Sequence, residues 1–317
     1  MKLSTTHKRM LVVFVFIGLL FLSLIVTLSV FEMYGKAAII NNSYNRRLFA
    51  YEQTITRGSI YDRSGVLLAS TPSEDSQRVR AYPFKGLYAH VIGYNSKMYG
   101  KTMIEGRFND ALLGRDSFGA LKQFLSMVTQ QELVGNDLHL TIDHLLQAKA
   151  RELLGRQHGA VVAINPQTGE ILAMVSTPDF DPNETQLGAS WAALLENESS
   201  PLLPRATMGL YPPGSTYKVI TALAALEQDL GDFRFLDQGT TTIDGKVFNN
   251  SRNRRFGEIG LKEGVAHSSN VYFAELSQVL DFRKFIKLSE AFGINGSVEF
   301  SLPLSRSRMG TESMGAT

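Results

Sequence analysis

Gly159-Ala160-Val161-Val162-Ala163-Ile164-Asn165-Pro166-Gln167-Thr168-Gly169-Glu170-Ile171-Leu172-Ala173-Met174-Val175-Ser176 decides the fold class. Two apolar runs flank Asn165–Gly169, whose Asn, Pro and Gly are turn formers. The stretch reads as a β-hairpin with both faces buried. Just upstream, Leu138-His139-Leu140-Thr141-Ile142 alternates like a strand. Asp143 then fits the N-cap of a helix with apolar positions at Leu145, Leu146, Ala148, Ala150 and Leu153. Helical patterns follow the hairpin and no internal repeat is visible, so the expected class is α+β with an antiparallel sheet.

The chain has 317 residues, which corresponds to about two domains. Hydrophobic residues make up 44% and charged residues 20%, which excludes disordered and collagen-like chains. Lys+Arg 32 against Asp+Glu 30 leaves a net charge of +2, so nucleic-acid binding has no electrostatic support. The absence of cysteine removes disulfide scaffolds, thiolate zinc sites and thiol nucleophiles together. No two of the six histidines are four apart, so no metal site is expected. Nothing points to a cofactor.

Leu11–Phe31 contains no charged side chain. At about 1.5 Å per residue it spans a hydrocarbon core of about 30 Å. Lys2, Lys8 and Arg9 precede it without an acid. The positive-inside rule therefore places residues 1–10 in the cytoplasm and the body outside. A cleaved signal peptide is the alternative, against which stand the length of the run and the lack of an A-x-A site.

Chemistry concentrates at Tyr211-Pro212-Pro213-Gly214-Ser215-Thr216-Tyr217-Lys218. Pro-Pro-Gly breaks regular structure, and Ser215 then opens a pattern (Val219, Ile220, Ala222, Leu223, Ala225, Leu226) with one apolar helical face. Ser215 and Lys218, three apart, share a face one turn apart. A serine hydroxyl needs a neighbouring base, and a lysine amine serves as one when burial disfavours its ammonium form. The helix N-terminus favours a developing alkoxide, and its N–H groups suit an oxyanion. The same residues also suit a plain Ser N-cap with Lys218 on a solvated face.

A polar group to hold the lysine is expected at His267-Ser268-Ser269-Asn270, wedged between the apolar helical patterns 259–266 and 271–280. Ser268 and Asn270 form S-x-N. Ser43-Tyr44-Asn45 fits the pattern too but lies in a stalk. Ser251-Arg252-Asn253 also fits, within Asn249–Arg255, which reads as an exposed loop. Arg252, Arg254 and Arg255 read as solvated, and Trp191 as core. Upstream, Asp62-Arg63-Ser64-Gly65 is a turn signal between short apolar runs, suggesting a small strand pair.

Four ordered stretches (Arg57–Gly65, Gly159–Met174, Tyr211–Lys218 and Ser268–Asn270) make the chain resemble the class B penicillin-binding proteins, single-pass peptidoglycan D,D-transpeptidases. The resemblance implies a penicillin-binding, serine β-lactamase-like transpeptidase fold behind an N-terminal pedestal and one transmembrane helix. Its division would be 1–10 cytoplasmic tail, 11–31 transmembrane helix, 32–137 stalk and dimerisation-like pedestal, and 138–317 transpeptidase domain. It implies that Ser215 attacks the D-Ala-D-Ala carbonyl of a stem peptide, that Lys218 takes the serine proton, that Ser268 relays a proton to the leaving D-alanine, and that Asn270 orients substrate and lysine. β-Lactams would acylate the same serine, and a SEDS-family membrane glycosyltransferase would be the partner.

The family's third motif, K-[ST]-G, does not occur after Asn270: only Lys284 and Lys287 follow, and Met309-Gly310-Thr311 is no substitute. The resemblance thus implies a C-terminally truncated member with an incomplete sheet, an open apolar edge and a Lys218 that is less buried and a weaker base. Little or no transpeptidase activity is expected of it. The alternatives are a membrane-anchored interaction module of the wall-synthesis complex, and a penicillin sensor or hydrolase, for which no residue marks a deacylating water.

Overall fold

The computed structural model describes residues 5–31, 52, 54–72, 78–115, 128–129 and 133–309. Of the expected stalk, Asn41 to Arg47 lie outside the described residues, as do Lys2 of the tail and Gly310-Thr311. Helix α1 (Thr5–Val30) is long and apolar enough to cross a membrane, and its described side chains from Val13 onward are exposed. Contacts divide the chain into two compact units, 1–202 and 203–317.

The first unit begins with short strands β1 (Ile55–Thr56), β2 (Ile60–Tyr61) and β3 (Leu67–Ala69). The Asp62 turn joins β2 to β3 as an antiparallel pair. Asp62 Oδ1 accepts the amides of Ser64 (2.8 Å) and Val66 (2.7 Å), so the carboxylate closes the turn. Next come the hairpin β4 (Asn95–Ser96) and β5 (Gly100–Lys101), and helices α2 (Met103–Arg107) and α3 (Asn109–Leu112). Strand β6 (Leu133–Val134) pairs in parallel with β1, and β7 (Leu138–His139) with β2.

A charged network lies inside this pedestal. Glu105, fully buried, accepts from Arg57 Nε and Arg80 Nε, both at 2.7 Å. Arg57 also reaches Asn109 Oδ1 (2.7 Å) and the carbonyl of Glu105 (2.8 Å), and Arg80 reaches the carbonyl of Gly58 (2.8 Å). Gly58 has to be glycine, because a Cβ there would lie 1.9 Å from the carbonyl oxygen of Asn136. The requirement is close backbone approach, not a turn.

Asp143 caps α4 (His144–Leu154) as expected, accepting from the amide of Leu146 at 3.0 Å. The hairpin also forms, with β8 (Gly159–Ile164) antiparallel to β9 (Ile171–Thr177) and Val161 opposite Val175. Ala173 and Val175, with Val161 and Ala163, pack against Ala150 and Leu154 of α4. Gln147, fully buried, fastens α4 to β9 by exchanging bonds with the Met174 amide (2.7 Å) and carbonyl (2.9 Å).

One expectation is corrected here. The hairpin does not bury both faces: Val162 and Ile164 remain 43% and 54% exposed. The opening is confined to β8: in β9, Met174 and Ser176, opposite Val162 and Ala160, are each only 4% exposed, and Ala173 and Val175 are buried on the face that α4 covers. Helix α5 (Glu184–Glu196) follows, and its Trp191 stacks on Tyr99 at 3.9 Å, a packing role.

The second unit contains α6 (Arg205–Met208), a 3₁₀ turn at Gly214–Tyr217, α7 (Lys218–Glu227) and β10 (Phe235–Asp237). The hairpin β11 (Thr240–Ile243) and β12 (Lys246–Asn249) leads to β13 (Gly257–Ile259), which pairs antiparallel with β10. Helices α8 (Leu261–Ala266), α9 (Asn270–Ser277) and α10 (Phe282–Ala291) complete it. Its core gathers Ala222 and Ala225 of α7, Ile259, Leu261, and Tyr272, Phe273 and Leu276 of α9. Gly264 lets α8 approach α9: a Cβ there would lie 2.5 Å from the Tyr272 ring.

Candidate active site

The serine and the lysine sit at one helix entrance. Pro212 and Pro213 block a regular approach, and Gly214 takes the left-handed φ of 57° that starts the 3₁₀ turn. Ser215 therefore lies in that turn, and the α-helix starts at Lys218 rather than at Ser215. A 3₁₀ turn has three residues per turn, so Ser215 and Lys218 still share a face. Ser215 is exposed and Lys218 half-buried.

Lys218 finds its partners in the segment between α8 and α9. Its Nζ donates to the carbonyl of Ser268 (2.6 Å), to Ser268 Oγ (3.2 Å) and to Asn270 Oδ1 (2.6 Å). These three acceptors match the three donors of an ammonium group. The Phe273 ring centroid lies 5.7 Å from the same nitrogen. Desolvation holds the Lys218 amine below the usual lysine range. Ser268 adopts a left-handed φ of 51°, uncommon for a residue with a Cβ. Both oxygen atoms of Ser268 reach Lys218 from that conformation.

The two sequence stretches expected to cooperate thus meet through Lys218, which touches Ser268 and Asn270, while Ser215 lies one turn before it at the helix entrance. The middle serine has another task. Ser269 caps α9 by accepting from the Tyr272 amide (2.9 Å). His267 stacks on Phe256, centroids 4.5 Å apart.

Sequence reasoning missed the support beneath S-x-N. Ser269 Oγ donates to Asp237 Oδ2 at 2.6 Å. Asn250 Nδ2 lies 2.8 Å from each Asp237 carboxylate oxygen and 2.9 Å from the Arg254 carbonyl. Asn250 Oδ1 accepts the amides of Asn270 (2.8 Å) and Val271 (3.1 Å). Asn270 Nδ2 donates to the Asn249 carbonyl (2.8 Å), which aims its Oδ1 at Lys218. Asp237, Asn250 and Ser269 are all buried. Asn249–Arg255 reads as an exposed loop in sequence, and Ser251–Arg255 is exposed, but Asn250 turns inward. No sequence period marks such a residue, because Asn and Asp in a polar stretch look like turn formers.

Two known protein domains match the body of the chain. Residues 159–313 match the penicillin binding protein transpeptidase domain, and residues 57–138 the penicillin binding protein A dimerisation domain. The chain is 30% identical over 260 residues to the peptidoglycan D,D-transpeptidase MrdA of Acinetobacter baumannii, covering 72% of this chain and 39% of that protein. It is 32% identical over 315 residues to the peptidoglycan D,D-transpeptidase PbpA of Mycolicibacterium smegmatis, covering 92% of this chain and 63% of that protein. The structure of penicillin-binding protein A from M. tuberculosis in its imipenem acyl-enzyme complex superimposes with a TM-score of 0.75 at 29% identity, covering 84% of this chain and 65% of that one. The chain thus spans between about two fifths and two thirds of the lengths of these relatives. Its fold is α+β with an unclosed antiparallel sheet behind a dimerisation-like module and one long apolar helix, and the chain is a homologue of the class B penicillin-binding D,D-transpeptidases.

Proposed function

We propose that the chain is a membrane-anchored serine acyltransferase of the peptidoglycan-cross-linking type, with residues 138–317 as its transpeptidase domain. The observation that carries this reading is the contact of Lys218 Nζ with Ser268 and Asn270, one turn from Ser215. In its neutral form Lys218 takes the Ser215 proton as Oγ attacks the D-Ala-D-Ala carbonyl of a stem peptide. The C–N bond breaks, Ser268 Oγ relays a proton to the departing D-alanine amine, and an acyl-enzyme remains. The amine of a neighbouring stem peptide then attacks the ester, and Ser215 recovers its proton. Asn270 orients the substrate amide and Lys218. Penicillin acylates Ser215 in the same way, consistent with the acyl-enzyme named in the M. tuberculosis relative.

The apolar helix α1 anchors the body outside the cell with Lys8 and Arg9 on the cytoplasmic side. A SEDS-family membrane glycosyltransferase is the partner this reading assigns. An exposed Ser215 and a half-buried Lys218 make for slow acylation, because water stabilises the ammonium form. Labelling of the detergent-solubilised chain with a fluorescent penicillin is therefore expected to be weak and confined to Ser215. Ser215→Ala should abolish it, and persistence of label in that variant would refute the reading. The base must be deprotonated to act, so labelling should rise with pH and level off below the ordinary lysine value of about 10.4. A rate that falls between neutral and alkaline pH would remove Lys218 from the role.

A second reading, a non-catalytic interaction module in the wall-synthesis complex, is supported by residues 57–138, which match a penicillin binding protein dimerisation domain. It expects Ser215→Ala to retain capture of the glycosyltransferase and all wall-related phenotype.

A further inference from the structure

The acyl-transfer reading uses Lys218, Ser268 and Asn270, and leaves unexplained why a carboxylate is buried directly beneath them. Asp237 is 1% exposed and has no cationic partner in any ion pair among the described residues. A buried carboxylate is costly unless hydrogen bonds satisfy it. Here four contacts do so: Ser269 Oγ at 2.6 Å, Asn250 Nδ2 at 2.8 Å to each oxygen, and the Gly239 amide at 2.8 Å. The strand β10 ends on Asp237, and its pairing with β13 fixes the carboxylate in place.

The consequences run upward. Asn250 has its amide nitrogen committed to Asp237, which fixes the flip of its side chain and leaves Oδ1 to face α9. That oxygen accepts the amides of Asn270 and Val271, two of the N–H groups that a helix start leaves without intrahelical partners. Ser269 is held from below by Asp237 while its Oγ accepts from Tyr272 above. With Ser269 and Asn270 tied down just after it, and its own amide held by the Val265 carbonyl at 3.0 Å just before it, Ser268 is kept in its left-handed conformation, with carbonyl and hydroxyl on Lys218.

We infer that Asp237 and Asn250 are positioning residues, a buried clamp that holds the Ser268–Asn270 segment in the conformation that grips Lys218. The inference rests on the acyl-transfer reading for its purpose, and on geometry alone for its content. Neither residue touches Ser215 or a substrate. They act through Ser269 and the backbone of Asn270.

The test reads Lys218 itself. Full-length protein labelled with ¹⁵N-lysine, in detergent micelles at low temperature and mildly acidic pH, gives NH₃⁺ signals only for amines shielded from water exchange. Lys218→Arg identifies the Lys218 signal. The wild type should show that signal with slow exchange. Asp237→Asn keeps the shape and Asn250→Ser keeps a small polar group. In each, with circular dichroism unchanged, Lys218 exchange should accelerate at least tenfold or its signal vanish, while fluorescent-penicillin acylation falls by about as much. Folded variants with unchanged Lys218 exchange would overturn the inference. Cooperative unfolding of both variants would overturn it too, because the clamp would then specify the fold and not the placement of Lys218. Ser215→Ala separates the two levels: it should leave the Lys218 signal intact, so loss of label there speaks to acyl transfer and loss of the signal in the clamp variants speaks to positioning.

Discussion

The pedestal and the second unit solve the same problem in opposite ways. Around Arg57, Glu105 and Arg80 the pedestal buries three charges and pairs them with one another, leaving Arg80 Nη2 as the one buried nitrogen of the cluster without a partner among the described residues, and Ile60, Leu68, Ile92 and Leu112 are fully or almost fully buried in the same module. The second unit builds a real core around Tyr272 and Leu276, yet its helix α7 shows Val219, Leu223 and Leu226 to solvent at 57%, 37% and 56%. Within the first unit the hairpin shares this habit through Val162 and Ile164. Scattered exposed apolar residues are ordinary, but an apolar face repeated along a helix is not. The pedestal thus pairs its charges inside, whereas α7 and β8 leave apolar side chains in solvent.

The sharpest way to break this contrast is to open the pedestal network. Glu105→Ala leaves two buried guanidinium groups without their shared carboxylate, which should cost about 3–5 kcal/mol. Chemical denaturation of the solubilised chain measures it, and a loss below about 1 kcal/mol would mean that the network does not hold the pedestal. The pH dependence follows from the same group. Burial pushes the Glu105 carboxyl up, but Arg57 and Arg80 outweigh it and bring it below the usual range. Its stabilisation should be complete above the unfolded value of about 4.3 and disappear as pH falls through the lower folded value. A pedestal transition that is insensitive to acid in this window would contradict the assignment.

Inside the second unit, Leu276→Ala removes a fully buried side chain that packs with Tyr272, Ala222 and Leu261. It should cost about 2–5 kcal/mol through lost transfer energy and the cavity left behind. A cost near that of Glu105→Ala would show that the second unit has a core of its own and that its exposed faces are not a symptom of loose folding. A cost of a few tenths would show the reverse.

Much of this was legible in the sequence, for identifiable reasons. The Asn165–Gly169 turn, the Asp143 cap and the Pro-Pro-Gly break before Ser215 are local signals, and local signals survive without tertiary context. The meeting of Lys218 with Ser268 and Asn270 was readable only as a pairing of two short motifs, since nothing in either stretch encodes the other's position. Two features were not legible. The hairpin's apolar runs match burial on both faces of β9 but not of β8, because an apolar run reports what a strand suits, not whether a neighbour is there to cover it. Asn250 and Asp237 escaped because a buried polar clamp uses the residue types of exposed turns, and only the contacts distinguish the two.

The smallest expected effect sharpens the comparison most. Val219→Ser and Leu226→Ser alter side chains of α7 that are more than half exposed and absent from the core cluster around Tyr272. A surface substitution away from caps, cavities and ion pairs changes stability by about 0.5 kcal/mol or less. The double variant should therefore unfold at nearly the same denaturant concentration as the parent. Light scattering should fall, because a contiguous apolar face drives association when nothing covers it. If the variant instead lost about 2 kcal/mol, those side chains would be covered in the folded protein, and the open face of α7 would be an interior surface. The contrast between a closed pedestal and an open second unit depends on which of these two results is obtained.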